Sequence, residues 1–102
     1  MQINPDLFSV HNNLAILLAG QGEFLESVEH YKQAITQYPG FAKAHNNLGS
    51  VLAQQGRFEE SIGHFERAIT IDPNNTGARK NLELARSLAG AKVNAEIGQK
   101  LK

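Results

Sequence analysis

FSVHNNLAILLAGQGEFLESVEHYKQAITQYPGF, residues Phe8–Phe41, is followed at once by AKAHNNLGSVLAQQGRFEESIGHFERAITIDPNN, residues Ala42–Asn75, and the two align without a gap. Sixteen of 34 positions are identical, including His11-Asn12-Asn13-Leu14 against His45-Asn46-Asn47-Leu48. A period of that length marks a repeat architecture, in which a unit cannot bury its apolar face alone and must stack on its neighbour. Within the first unit, apolar residues recur twice at helical spacing, as Leu14, Leu17, Leu18 and then Phe24, Val28, Tyr31, Ile35, with Gly20-Gln21-Gly22 as the break. The second unit repeats this with Leu48, Val51, Leu52, the break Gln54-Gln55-Gly56, then Phe58, Ile62, Phe65, Ile69. Pro39 and Pro73 close the units, because proline cannot continue a helix. Each unit is therefore a helical hairpin, with Leu14, Phe24, Tyr31, Leu48, Phe58 and Phe65 expected in the core.

Working outward, the whole chain has 102 residues, 41% hydrophobic and 20% charged, the proportions of one small globular domain. Ten Lys and Arg balance ten Asp and Glu, so no global charge draws the chain to nucleic acid or to an anionic membrane. The absence of cysteine excludes disulfides, thiolate zinc sites and cysteine nucleophiles together. Met1-Gln2-Ile3-Asn4-Pro5-Asp6 has neither a basic start nor an apolar run, so no secretory signal is read and a cytoplasmic location is expected.

These residues resemble the tetratricopeptide repeat family, whose 34-residue hairpins carry Leu-Gly early, aromatics in the second helix and a terminal proline. Leu48-Gly49, Gly56, Phe58, Phe65, Ala68 and Pro73 match that pattern, as do Leu14, Gly22, Phe24, Tyr31, Ala34 and Pro39 one unit earlier. His11 and His45 stand in place of the usual tryptophan, Ala15 in place of glycine, and Ser27 and Ser61 in place of alanine. The resemblance implies an all-α fold, a right-handed α-solenoid of two helical hairpins and a C-terminal capping helix. Residues 8–41 and 42–75 are the two repeats, and residues 1–7 read as a linker or the end of a preceding repeat, since Asn4-Pro5 falls where one would finish. From Thr76 a third unit begins in register, but Lys92 and Gln99 occupy the places of its two packing aromatics. Residues 76–90 are therefore expected to form a single cap over the last repeat, and 91–102 a helical extension or tail.

Little in the chain suggests chemistry. The histidines at 11, 30, 45 and 64 fall into two sets 34 residues apart, and equivalent residues in neighbouring helices stand about 8–10 Å apart, too far for one ion unless the side chains converge. His11 and His45 are read as packing at helix contacts and His30 and His64 as lying on the second helices, all inherited by duplication, and no metal site is expected. Gly20-Gln21-Gly22 lacks the preceding strand of a phosphate loop and reads as a hairpin turn. No hydroxyl, histidine and carboxylate follow a nucleophile motif, so neither enzymatic activity nor a cofactor is expected.

Asn12-Asn13 and Asn46-Asn47 are the sharper signal, because asparagine is a poor helix former and each pair lies inside a first helix, beyond its capping positions. In the family the first helices line a concave groove, so the resemblance implies a ladder of Asn13, Asn47 and Asn81, one rung per repeat. A carboxamide offers both donors and an acceptor, which suits the main chain of an extended peptide. Alternatively, the amides bond to the neighbouring repeat and fix stacking; both roles are compatible. The expected function is non-enzymatic binding of an extended protein segment by Asn12, Asn13, Ile16, Lys43, Asn46, Asn47, Ser50, Gln54, Lys80, Asn81 and Leu84, with Lys43 and Lys80 tuning charge.

Similar repeats with Asn in this place hold substrate polypeptide in the arm of O-linked N-acetylglucosamine transferase, so the arm of a larger glycosyltransferase-like enzyme is the competing reading. The family's clamp for acidic chaperone tails is mostly missing: Asn47 fits, but Asn12, Ile16, Gly77 and Asn81 occupy its other places. Nucleic acid is not expected as a partner, since no basic groove with interleaved aromatics is present. Residues 1–40 carry Lys32 against Asp6, Glu23, Glu26 and Glu29, whereas 79–102 carry six bases against Glu83 and Glu96. With a stripe of Val93, Ile97 and Leu101, that imbalance leads to a third expectation, weak head-to-tail self-association.

Overall fold

The computed structural model describes residues 7–100, which form five helices: α1 (Leu7–Gly20), α2 (Phe24–Gln37), α3 (Ala42–Gln54), α4 (Phe58–Ile71) and α5 (Thr76–Lys100). The expectations for Asn4-Pro5 and Leu101 lie outside the described residues. Pairs α1/α2 and α3/α4 are hairpins, α2 packs on α3, and α4 packs on α5, giving an α-solenoid 63 Å long and 29 by 19 Å across.

Both hairpins turn in the same way. Gly22 and Gly56 have φ of +80° and +77°, a left-handed conformation that glycine adopts without a Cβ clash. Gly22 N–H donates to the Ala19 carbonyl and Glu23 N–H to that of Leu18, at 3.1 and 2.9 Å. Gly56 and Arg57 do the same to Ala53 and Leu52, at 3.0 and 2.9 Å. This pair of reversed bonds satisfies the last carbonyls of the first helix and aims the chain back along it.

Where α3 packs on α4, Gly49 lies against the ring of the fully buried Phe65. The Ser61 hydroxyl donates to the Gly49 carbonyl at 2.7 Å, and Ser27 makes the equivalent 2.7 Å bond to Ala15 in the first hairpin. Serine in place of alanine thus ties the two helices of each hairpin together, its buried hydroxyl satisfied. Successive units are tied as well: His45 Nε2 lies 3.1 Å from the Pro39 carbonyl, and the Arg79 guanidinium donates to that of Pro73.

The core is strung along the stack. Ala15, Val28, Tyr31, Leu48, Val51 and Leu52 form one buried cluster, with Phe24 and Ile35 packed against it; Phe65, Leu82 and Ala85 form another, flanked by Ile62 and Ile69. Burial pushes the Tyr31 phenol up to about 12, against a smaller downward effect of Ser27, so it stays neutral.

Three expected core residues are corrected, Phe24 being only partly buried where it packs against the first cluster. Leu14 is 37% exposed whereas its counterpart Leu48 is fully buried, because α2 covers α3 while no described helix covers that face of α1. Phe58 is only partly buried; the Lys92 ammonium lies 6.0 Å above its ring and 3.3 Å from the Gly56 carbonyl, where the resemblance places an aromatic.

Helix α5 runs straight through residue 90. In place of the break Gln54-Gln55-Gly56 it has Leu88-Ala89-Gly90, with two good helix formers. The face that would meet a second helix carries Arg79, Glu83 and Arg86, a polar outer surface suited to the end of a stack.

Candidate functional site: an amide ladder across three first helices

On α3, Lys43, Asn47, Ser50 and Gln54 are spaced to form one stripe, with Asn46 beside it. Its counterparts are Asn13 and Ile16 on α1, and Lys80, Asn81, Leu84 and Leu88 on α5. The three helices meet through their amides. Asn47 Nδ2 donates to Asn12 Oδ1 at 3.3 Å, and Asn81 Nδ2 donates to Asn46 Oδ1 at 3.1 Å, each bond spanning 35 residues of sequence. In both, the asparagine at the sixth place of one unit gives to the asparagine at the fifth place of the unit before.

This division of labour separates residues the sequence could not. Asn12 is 2% exposed, so it supports the Asn47 rung from beneath and does not itself line an open surface, a correction to its place among the groove residues. Asn46 and Asn47 are half-buried, as is Asn81, while Asn13 is exposed with no first helix beyond it among the described residues. Asn47 and Asn81 each spend one amide hydrogen on stacking; the carbonyl oxygen and second hydrogen have no protein partner among the described residues.

Ser50, Gln54, Asn81 and Leu84 line one cleft between α3 and α5, whose mostly apolar floor and wall are Ala53, Phe65, Ala85 and Leu88. The sequence reading placed the first four together and missed the others. Leu88 was readable as the third-unit counterpart of Gln54; Phe65 was not, because its ring reaches the cleft from the second helix. Lys43 and Lys80 are exposed on the same faces of α3 and α5, whereas Ile16 and Asn13 belong to the α1 end of the stripe.

The histidines do converge, but at a spacing of 19, within each hairpin. His11 Nδ1 lies 3.0 Å from His30 Nδ1, and His45 Nδ1 lies 3.1 Å from His64 Nδ1. The rings are 25° and 27° from parallel, with centroids 5.2 and 5.3 Å apart. The centroid separation exceeds the nitrogen separation by about 2 Å, roughly the combined distance from each ring centre to its nitrogen, so the rings meet edge to edge in an N–H···N bond. His45 Nε2–H donates to the Pro39 carbonyl, which leaves His45 Nδ1 as the acceptor and His64 Nδ1–H as the donor when both rings are neutral. Burial is the main cause holding both below the ordinary histidine value; Pro39 opposes it at His45 and Arg67 adds to it, while at His64 the His45 charge and Lys32 add and Glu60 opposes. No group of three His, Asp or Glu side chains able to hold a metal gathers among the described residues. No described helix is long and apolar enough to cross a membrane.

No curated protein sequence matches the chain. Among solved structures, that of MamA superposes with a TM-score of 0.81 at 22% identity, over 85% of this chain and 51% of MamA. The chain thus spans about half the length of that protein, and at this identity the likeness is one of fold. The family model for the tetratricopeptide repeat matches residues 12–76, which include the amide pairs, both hairpin turns and both prolines. With its period, turns and packing accounted for, the chain belongs to the tetratricopeptide repeat family.

Proposed function

We propose that this protein-interaction module holds an extended segment of a partner along α1, α3 and α5, its main chain hydrogen-bonded to Asn13, Asn47 and Asn81 and an apolar side chain seated in the α3–α5 cleft. The observation that carries this reading is the pair of inter-repeat bonds from Asn47 to Asn12 and from Asn81 to Asn46. They fix the orientation of the Asn47 and Asn81 rungs while leaving the carbonyl oxygen and one N–H of each available, so a peptide meets donors and acceptors already ordered there. Main-chain recognition of this kind is tolerant of partner sequence; selectivity comes from the cleft, lined by Leu84, Leu88, Ala53 and Phe65, and from Lys43 and Lys80, which favour acidic residues nearby.

The test is amide chemical-shift mapping with a peptide selected from a random library. Shifts concentrated on Asn47, Ser50, Gln54, Asn81 and Leu84 are expected; shifts confined to Glu29, His30, Gln33 and His64 would place binding on the second helices and end this reading.

A further inference from the structure

The third, seventh and tenth residues of each unit form one helix face. In the second unit these are Ala44, Leu48 and Val51, in the third Ala78, Leu82 and Ala85, and all six are buried, on helices packed against the second helix of the preceding unit. In the first unit they are Val10, Leu14 and Leu17, and all three are exposed, at 51%, 37% and 59%. The face of α1 therefore repeats, residue for residue, a surface that elsewhere in the same molecule receives a helix. It is a seat whose normal occupant is an apolar helical stripe, as α2 offers through Val28, Tyr31 and Ile35.

The chain also carries a helix end that is only loosely seated on its own molecule, with Lys92 reaching the Gly56 carbonyl and Val93 at the edge of an open cleft beside Phe58. Residues 91–100 of α5 are exposed throughout, and Val93 and Ile97 stand one turn apart on them, about half exposed. Charge is disposed to bring the two together. The first hairpin bears Glu23, Glu26 and Glu29 against Lys32, and α1 itself is uncharged; α5 bears Arg79, Lys80, Arg86, Lys92 and Lys100 against Glu83 and Glu96.

We propose that the occupant of the α1 seat is the free end of α5 from a second copy of this chain, Val93 and Ile97 packing on Val10, Leu14 and Leu17. The contact is head-to-tail and leaves one seat and one free helix end on every assembly, so it grows into open chains instead of closing as a dimer. It extends the internal α2–α3 arrangement to an intermolecular one and is independent of the groove. Few side chains take part, and an interface well below about 1,000 Å² gives association only at high concentration.

Sedimentation equilibrium of the full chain, from about 20 μM to about 1 mM, tests this. The weight-average mass is expected to rise with concentration without levelling at two copies, and to fall back as salt screens the end charges. Leu17→Glu and Ile97→Glu change exposed positions, and circular dichroism at 222 nm confirms that each variant retains its helices. Each variant alone is expected to remain monomeric, while an equimolar mixture forms a particle of two chains, because one supplies an intact seat and the other an intact helix end. A wild-type mass that stays monomeric at all concentrations overturns the proposal. So does an Ile97→Glu chain that assembles like wild type, which would mean that α1 pairs with α1, or a mixture that stays monomeric.

Discussion

A Cβ placed on Gly49 would lie 2.7 Å from the ring of Phe65, closer than real side chains approach. The ring is almost fully buried and can give way only toward the α3–α5 cleft that it lines. Gly49→Ala is therefore expected to destabilise by about 1–3 kcal/mol through overpacking, and Phe65→Ala by about 3–5 kcal/mol through the cavity it leaves. Urea denaturation of both and of the double variant checks the relationship: with the ring removed, the added methyl should be harmless, so the double variant should lose less than the two singles combined.

Glycines at the turns and in α5 should behave oppositely. Gly22→Ala and Gly56→Ala have open space for a Cβ but force it into a left-handed conformation, with an expected loss of about 1–2 kcal/mol each. Gly90→Ala and Gly98→Ala also meet nothing within 4 Å, yet lie in a helix, where alanine is favoured by up to about 1 kcal/mol. Thermal melts of the four single variants should divide them by sign.

The asparagines separate stacking from binding. Asn12→Ala removes the buried acceptor of Asn47 and is expected to cost about 1 kcal/mol of stability. Asn13→Ala should leave stability unchanged, since Asn13 is exposed, but weaken a groove-bound peptide. Asn47→Ala should do both. Chemical denaturation paired with peptide titration on the three variants gives the answer, and equal loss of peptide affinity in all three would show that the ladder acts on the peptide only through folding.

Acid should loosen the second hairpin. The folded-state values of His45 and His64 are held below the ordinary 6.5, chiefly by burial, so the unfolded chain takes up protons first as pH falls. Stability present above about pH 6.5 is then lost progressively below it, because a second proton would set two cations against each other across the 3.1 Å contact. Urea midpoints should fall between pH 7.5 and pH 5, values spanning the imidazole range. His64→Gln should flatten that slope, and an unchanged slope would mean that other groups dominate.

What the sequence determined by itself was everything set by local periodicity. The 34-residue repeat, the glycine at each turn, the closing prolines and the buried Leu48, Tyr31 and Phe65 follow from the spacing of apolar and turn residues, which constrains each hairpin before any partner is known. What only the tertiary structure decided depends on which neighbour a residue meets. Leu14 and Leu48 occupy the same place in the same His-Asn-Asn-Leu run, yet one is exposed and the other buried, because only the second has a described helix packed across it. Asn12 and Asn13 are adjacent and chemically identical, and the stack turns one into a buried acceptor and leaves the other in solvent. His45 and His64 pair at 3.1 Å because antiparallel helices bring the fourth and twenty-third places of a unit together. That spacing of 19 recurs in both repeats, but it acquires meaning only once the hairpin is closed.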